Sequence, residues 1–250
     1  GIEGNTPKYM DNYEQSAGEI NGQISGLNLE QRDAVRLALS QWENVANVKF
    51  YEVQEAGDTV GTIRIAFTDL LGDTTETWGW ATSPGLTAKS SDIWIDSNHI
   101  DDTNWERGLS SNFQSLLHEI GHSLGLAHPF AEIGSIDEAS TTVLPVSQDF
   151  QNYTVMSYTE PENNYIFSSS GEAQHLISST PMVYDIAAVQ HLYGPAQTNT
   201  GDTIYRYDPS QPFVEAIWDA SGTDTLDLTN FSRACTISIE PGSYSTIVCN

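Results

Sequence analysis

Apolar positions recur at three- and four-residue spacing over residues 29–46, where Ala34, Val35, Ala38, Leu39, Trp42, Val45 and Ala46 share one face. That period predicts a long helix with one side covered by protein. Asn28 and Gln31, three residues apart at its start, have the side chains of a capping box. Beyond this helix the period shortens to two. Residues 48–53, 62–67 and 92–96 alternate apolar with polar positions and predict half-buried strands, with 78–81 as a further one. Gly57-Asp58 and Gly72-Asp73 mark turns between them. Helical spacing returns at Phe113, Leu116, Leu117, Ile120 and Leu124, which predicts a second helix over residues 108–126. Residues 129–153 carry no regular pattern. A third helix begins at Pro181, a residue suited to a first turn, and stops at Gly194-Pro195. From Gln197 onward, short β-like pieces are separated by Gly, Asp, Ser and Thr.

The second helix carries a constellation that packing does not require. Residues 118–128 read H-E-I-G-H-S-L-G-L-A-H, the pattern H-E-x-x-H-x-x-G-x-x-H. His118 and His122 stand four apart and project from one helix face, one turn above the other. Gly125 permits a left-handed residue, so the chain can turn sharply and bring His128 round as a third ligand. Three neutral imidazoles and an open position for water are the donor set of a catalytic zinc. Glu119, beside the first ligand, is placed to take a proton from that water. A helix burying histidines for packing alone has no use for Glu119, Gly125 and His128 in the same register. His99, His175 and His191 lack partners at ligand spacing and read as packing or surface residues.

Composition narrows the partners. A chain of 250 residues can bury a substantial core, as one large domain or a domain with an appendage. Its formal net charge of −25 opposes binding to nucleic acid, and the nine basic residues form no patch. No apolar run approaches the roughly 18 residues that span a membrane, and residues 1–14 do not resemble a secretion signal. Most acidic residues read as a solvated surface, with some available to hold calcium. Residues 219–227 are rich in oxygen ligands and similar to half of a calcium-binding nonapeptide repeat. Cys235 and Cys249 lack metal-ligand spacing, and whether they pair or remain thiols is left open.

With Val155-Met156-Ser157-Tyr158 added, the long zinc motif resembles that of the metzincins. In that family a methionine turn places an apolar floor beneath the metal, which implies this role for Met156. In the astacins and serralysins a tyrosine two residues after that methionine can ligate zinc, and Tyr158 holds the position. Pro129, directly after the third histidine, is similar to serralysins, where astacins usually have glutamate; the disulfide framework typical of astacins is also missing. Residues 185–194 resemble the helix that leads out of the serralysin protease domain, and residues 200–205 and 218–224 resemble the start of its β-roll. Asn199 stands where that family commonly has arginine, and Ser221 replaces a glycine.

The resemblance implies an α+β metzincin protease domain over residues 1–195, with a mixed twisted sheet and the long zinc-binding helix. Over 196–250 it implies the beginning of an all-β calcium-binding β-roll, whose further repeats and any export signal lie beyond Asn250. It implies catalytic Zn2+ on His118, His122 and His128, and structural Ca2+ on Asn199, Gly201, Thr203, Asp219, Ser221, Gly222 and Asp224. The expected protein is a secreted, extracellular, monomeric zinc endopeptidase acting on protein or peptide substrates. A proteinaceous inhibitor is a further expected partner; nucleic acid and membrane are not. Glu119 is then the general base, and Tyr158 leaves the zinc to donate to the oxyanion. Residues 91–98 are the expected edge strand for an extended substrate. Two rival readings are a metzincin fold kept without catalysis and an acidic, calcium-dependent adhesion module. Intact Glu119 and Tyr158 favour the protease.

Overall fold

In the computed structural model, helix α1 (Leu29–Val45) forms where the apolar period places it, and its start is closed reciprocally. Asn28 Oδ1 accepts the Gln31 N–H at 3.0 Å while Gln31 Oε1 accepts the Asn28 N–H at 2.8 Å, so two orphan donors are satisfied. The structure describes residues 24–54, 61–69, 77–87, 89–130, 143–162, 165–167 and 173–249. The turns expected at Gly57-Asp58 and Gly72-Asp73 lie outside them.

Four strands follow the mixed pattern: β1 (Ile24–Ser25), β2 (Ile65–Thr68), β3 (Gly79–Ala81) and β4 (Ile93–Asp96). Their order is β1-β2-β4-β3, with β2 and β4 parallel and the other pairs antiparallel. β4 is therefore bonded on both sides, and all four of its residues are buried. This corrects the assignment of residues 91–98 as the substrate edge. Among the described residues the edges of this sheet are β1 and β3; chain order does not reveal that β3, which precedes β4, pairs outside it. Residues 48–53 also depart from expectation and form no ladder. The Phe50 N–H donates instead to Glu43 Oε1 at 2.6 Å, so a side chain of α1 takes the bond a neighbouring strand would have taken.

Helix α2 (Ser111–Ser123) starts later than the apolar stripe suggested. Gly108 has φ +78°, incompatible with a helix, and Ser110 Oγ accepts the Asn112 N–H at 3.1 Å as the cap. Helix α3 (Val183–Tyr193) begins beyond Pro181, where the Asp185 carboxylate accepts the Met182 N–H, and Gly194 at φ +84° ends it. α1 packs on α2, and α2 on β3 and β4. Trp42, Phe67, Ile95, Phe113, Leu117 and Ile120 fill the space between, all fully buried. Where β2 enters the sheet, Arg64 forks onto Asp92, with Nη2–Oδ2 at 2.6 Å and Nε–Oδ1 at 3.1 Å, both residues buried.

Strands β5 (Tyr165–Phe167) and β6 (Ala173–His175) form a small antiparallel pair. The C-terminal region contributes one parallel pair, β7 (Ile204–Arg206) with β8 (Thr225–Asp227). Among the described residues the only other ladder contact within this region is the bridge Thr236–Thr246, so a β-roll is not seen there; a roll needs stacked repeats, and one repeat supplies one rung. Arg107 ties this region to the turn before α2, donating to the Ser179 carbonyl and to Glu215. Cys235 and Cys249 are free thiols.

Candidate active site

His118 and His122 project from one face of α2 as their spacing requires. Gly125, at φ +98°, then reverses the chain and returns His128 to the same point. The three Nε2 atoms lie 3.0, 3.0 and 3.1 Å apart. Their protonation follows from the other ring nitrogens. His118 Nδ1 is 2.8 Å from the Val155 carbonyl and His122 Nδ1 is 2.8 Å from the Leu126 carbonyl. A carbonyl only accepts, so Nδ1 carries the proton in both rings and Nε2 offers its lone pair. Burial, with the neighbouring imidazoles, holds His118 down at about 3 and keeps it neutral. Lone pairs converging at such distances repel one another unless a cation sits among them. The donor set is that of zinc, with carbonyl partners orienting two of the rings.

Glu119 lies on the same helix, 6 % exposed, and burial pushes its carboxyl up to about 8. Its Oε2 is buried and has no protein partner. Tyr158 places its hydroxyl 2.8 Å from His128 Nε2, with its ring stacked on His118 at 5.4 Å. Met156 lies beneath α2. A Cβ on Gly121 would sit 2.5 Å from its sulfur and 3.3 Å from the Trp42 ring, so only glycine lets the methionine turn approach this closely. The motif pattern leaves that position unspecified, and no sequence signal marked it.

Asp185 is a second residue that sequence reasoning passed over. Fully buried, it accepts from Thr154 Oγ1 at 2.5 Å and from the Val155 and Met182 N–H groups at 2.8 Å. It therefore ties the peptide turn whose Val155 carbonyl orients His118 to the start of α3. Burial raises its carboxyl from 3.8 to about 6, against the three hydrogen bonds. An acid whose folded value is raised costs stability as it ionises: stability falls as pH rises from 3.8 towards 6 and is level above. Asp185→Asn is expected to remove this decline. Urea midpoints from pH 4 to 7 check it, and parallel profiles for both proteins would refute it.

The seven calcium candidates are brought together in two facing loops. Gly222 lies so close to Gly201 that a Cβ there would sit 2.4 Å from the Gly201 carbonyl oxygen. Asn199, at φ +53°, donates to the Trp218 carbonyl, and Thr203 donates its N–H to Asp224 Oδ1. Asp219 accepts from the Ser221 N–H and the Tyr205 hydroxyl. Both carboxylates thus already accept protein hydrogen bonds. Among the described residues the three histidines are the group of acid, thiol or imidazole side chains that converges as metal ligands do. Asp202, unmarked in the sequence, joins the same loops by accepting the Thr223 N–H. Of the other histidines, His99 pairs with Asp102 at 2.9 Å, a partner three residues on that its spacing had not suggested.

Comparison with known proteins bears on the whole arrangement. Residues 20–136 match the family model described as matrixin, residues 114–204 one described as Met-zincin, and residues 183–249 the serralysin C-terminal model. The chain is 32% identical to serralysin B of Dickeya chrysanthemi over 234 residues, 87% of this chain and 47% of that protein. It is 31% identical to metallopeptidase AprA of Pseudomonas marginalis over 240 residues, 90% of this chain and 49% of the relative. A serralysin of Photorhabdus sp. (strain Az29) is 30% identical over 240 residues, with 90% and 48% covered. The chain spans about half the length of the curated relatives it matches.

Proposed function

The chain belongs to the serralysin family of metzincin peptidases, and from that premise we propose that it is a secreted zinc endopeptidase that hydrolyses protein substrates. The observation that carries this is the convergence of three imidazole ring nitrogens beside a buried carboxyl whose Oε2 has no protein partner. His118, His122 and His128 would hold the metal. When bound there, zinc lowers the pKa of water towards roughly 7 and polarises the scissile carbonyl. Glu119 takes the proton of the attacking water and delivers it to the leaving amine. Tyr158, largely exposed, can turn from His128 and donate its hydroxyl to the oxyanion of the tetrahedral species. An extended substrate adds main-chain hydrogen bonds along the free edge of β3. The two C-terminal loops support a structural calcium only through the family resemblance.

Casein hydrolysis tests the reading. Phenanthroline is expected to abolish it and added zinc to restore it; hydrolysis that persists in metal-free protein overturns the proposal. Tyr158→Phe is expected to lower kcat by about two to three orders of magnitude, the range for loss of one oxyanion donor, with metal content unchanged. Loss of zinc by that variant, measured by elemental analysis, would show Tyr158 to be a ligand first.

A further inference from the structure

Phe130, two residues beyond the third histidine, has no part in the reaction as described. Its ring nonetheless lies parallel to His128, with centroids 4.9 Å apart and planes 8° from parallel. The same ring meets Tyr158 at 5.2 Å and 50°. Tyr158 in turn contacts the His128 ring at 4.8 Å and that of His118 at 5.4 Å. Tyr158 is 64% exposed, and it must hold one position at rest and another in reaction. The half-buried Phe130 supplies a wall on the His128 side.

We propose that Phe130 is a positioning residue whose ring clamps Tyr158 against His128 and so sets how readily Tyr158 is displaced from the metal centre. This rests on the reading of Tyr158 as a displaceable group at the triad. Aromatic pairs of this geometry shift an equilibrium by about two- to tenfold. Without the clamp, the displaced arrangement of Tyr158 gains by that factor, and any group that must move Tyr158 aside binds correspondingly tighter. Phe130 thus trades affinity for incoming carbonyls against a defined resting geometry.

Copper(II)-loaded protein reports this without measuring turnover, because a phenolate on copper absorbs visibly and a displaced one does not. Acetohydroxamate, a small chelating competitor, is titrated until the band bleaches. Phe130→Leu keeps apolar volume without the ring and is expected to need about two- to tenfold less acetohydroxamate. Phe130→Tyr restores the ring and should match the unaltered protein. In a Tyr158→Ala background, where no band remains and acetohydroxamate binding is followed by calorimetry instead, nothing is left to clamp, and Phe130→Leu should leave its affinity unchanged. Equal bleaching concentrations for Phe130→Leu and the unaltered protein overturn the assignment of Phe130 alone. So does an equal shift in the Tyr158→Ala background, which would mean that Phe130 acts on the competitor directly. Copper bound with no such band in the unaltered protein overturns the Tyr158 reading and this proposal with it.

Discussion

Glu119→Gln is expected to keep its zinc, gain thermal stability in the metal-free form and lose about two to four orders of magnitude in kcat, the usual contribution of a general base. The loss follows from chemistry, since an amide cannot accept the proton of the attacking water. The gain follows from burial. Glu119 is 6 % exposed, its Oε2 lacks a protein partner, and burial holds its carboxyl up at about 8. A neutral amide of the same shape carries less desolvation cost in that place. Misfolding lowers activity and stability together, so the opposite signs identify a catalytic role. Steady-state kinetics on casein, elemental analysis and a thermal scan of the metal-free form measure the three quantities. Turnover within tenfold of the unaltered protein would falsify the assignment.

Asp92→Ala is expected to cost about 3–5 kcal/mol, because it removes a two-point carboxylate contact from a buried guanidinium. Asp92 is 1% exposed and Arg64 7%, and the two share a two-point contact where β2 joins β4. Burial lowers the Arg64 pKa from its ordinary value, with Asp92 acting in the opposite direction. For a chain of this size the loss corresponds to a drop in Tm of roughly 6–20 °C. Replacing both residues with apolar ones of similar volume should recover much of it, since the desolvated charge, more than the missing attraction, is what destabilises. Thermal or urea unfolding of the single and double variants decides; equal stability of Asp92→Ala and the parent rules the account out.

Local signals in this chain were read well wherever one helix or one turn contained them. The Asn28–Gln31 box and the face of α1 are properties of a few consecutive residues, and both appear as expected. The same holds for the histidine spacing on α2 and the reversal at Gly125. Boundaries moved where a backbone angle or a capping side chain, which the apolar period does not register, took over. Ser110 and Gly108 delayed α2, Asp185 delayed α3, and Glu43 captured the backbone of Phe50 that a strand would have used. The edge position of β3 is not legible in residue order, because strand pairing is a non-local choice.

By itself, then, the sequence determined the chemistry: which donors exist, at what helical spacing, and with which carboxylate beside them. Hydrogen bonds and side-chain periods within a few residues are enough for that. Only the tertiary structure decided how those donors are oriented and backed. The Val155 carbonyl that sets His118, the Asp185 carboxyl that holds Val155, and the Met156 sulfur against Gly121 come from separate parts of the chain. So does the contact of Phe130 with Tyr158. Backbone carbonyls and van der Waals contacts leave no mark in residue order, because any residue has a carbonyl and many can fill a gap. Packing alone selects which ones meet.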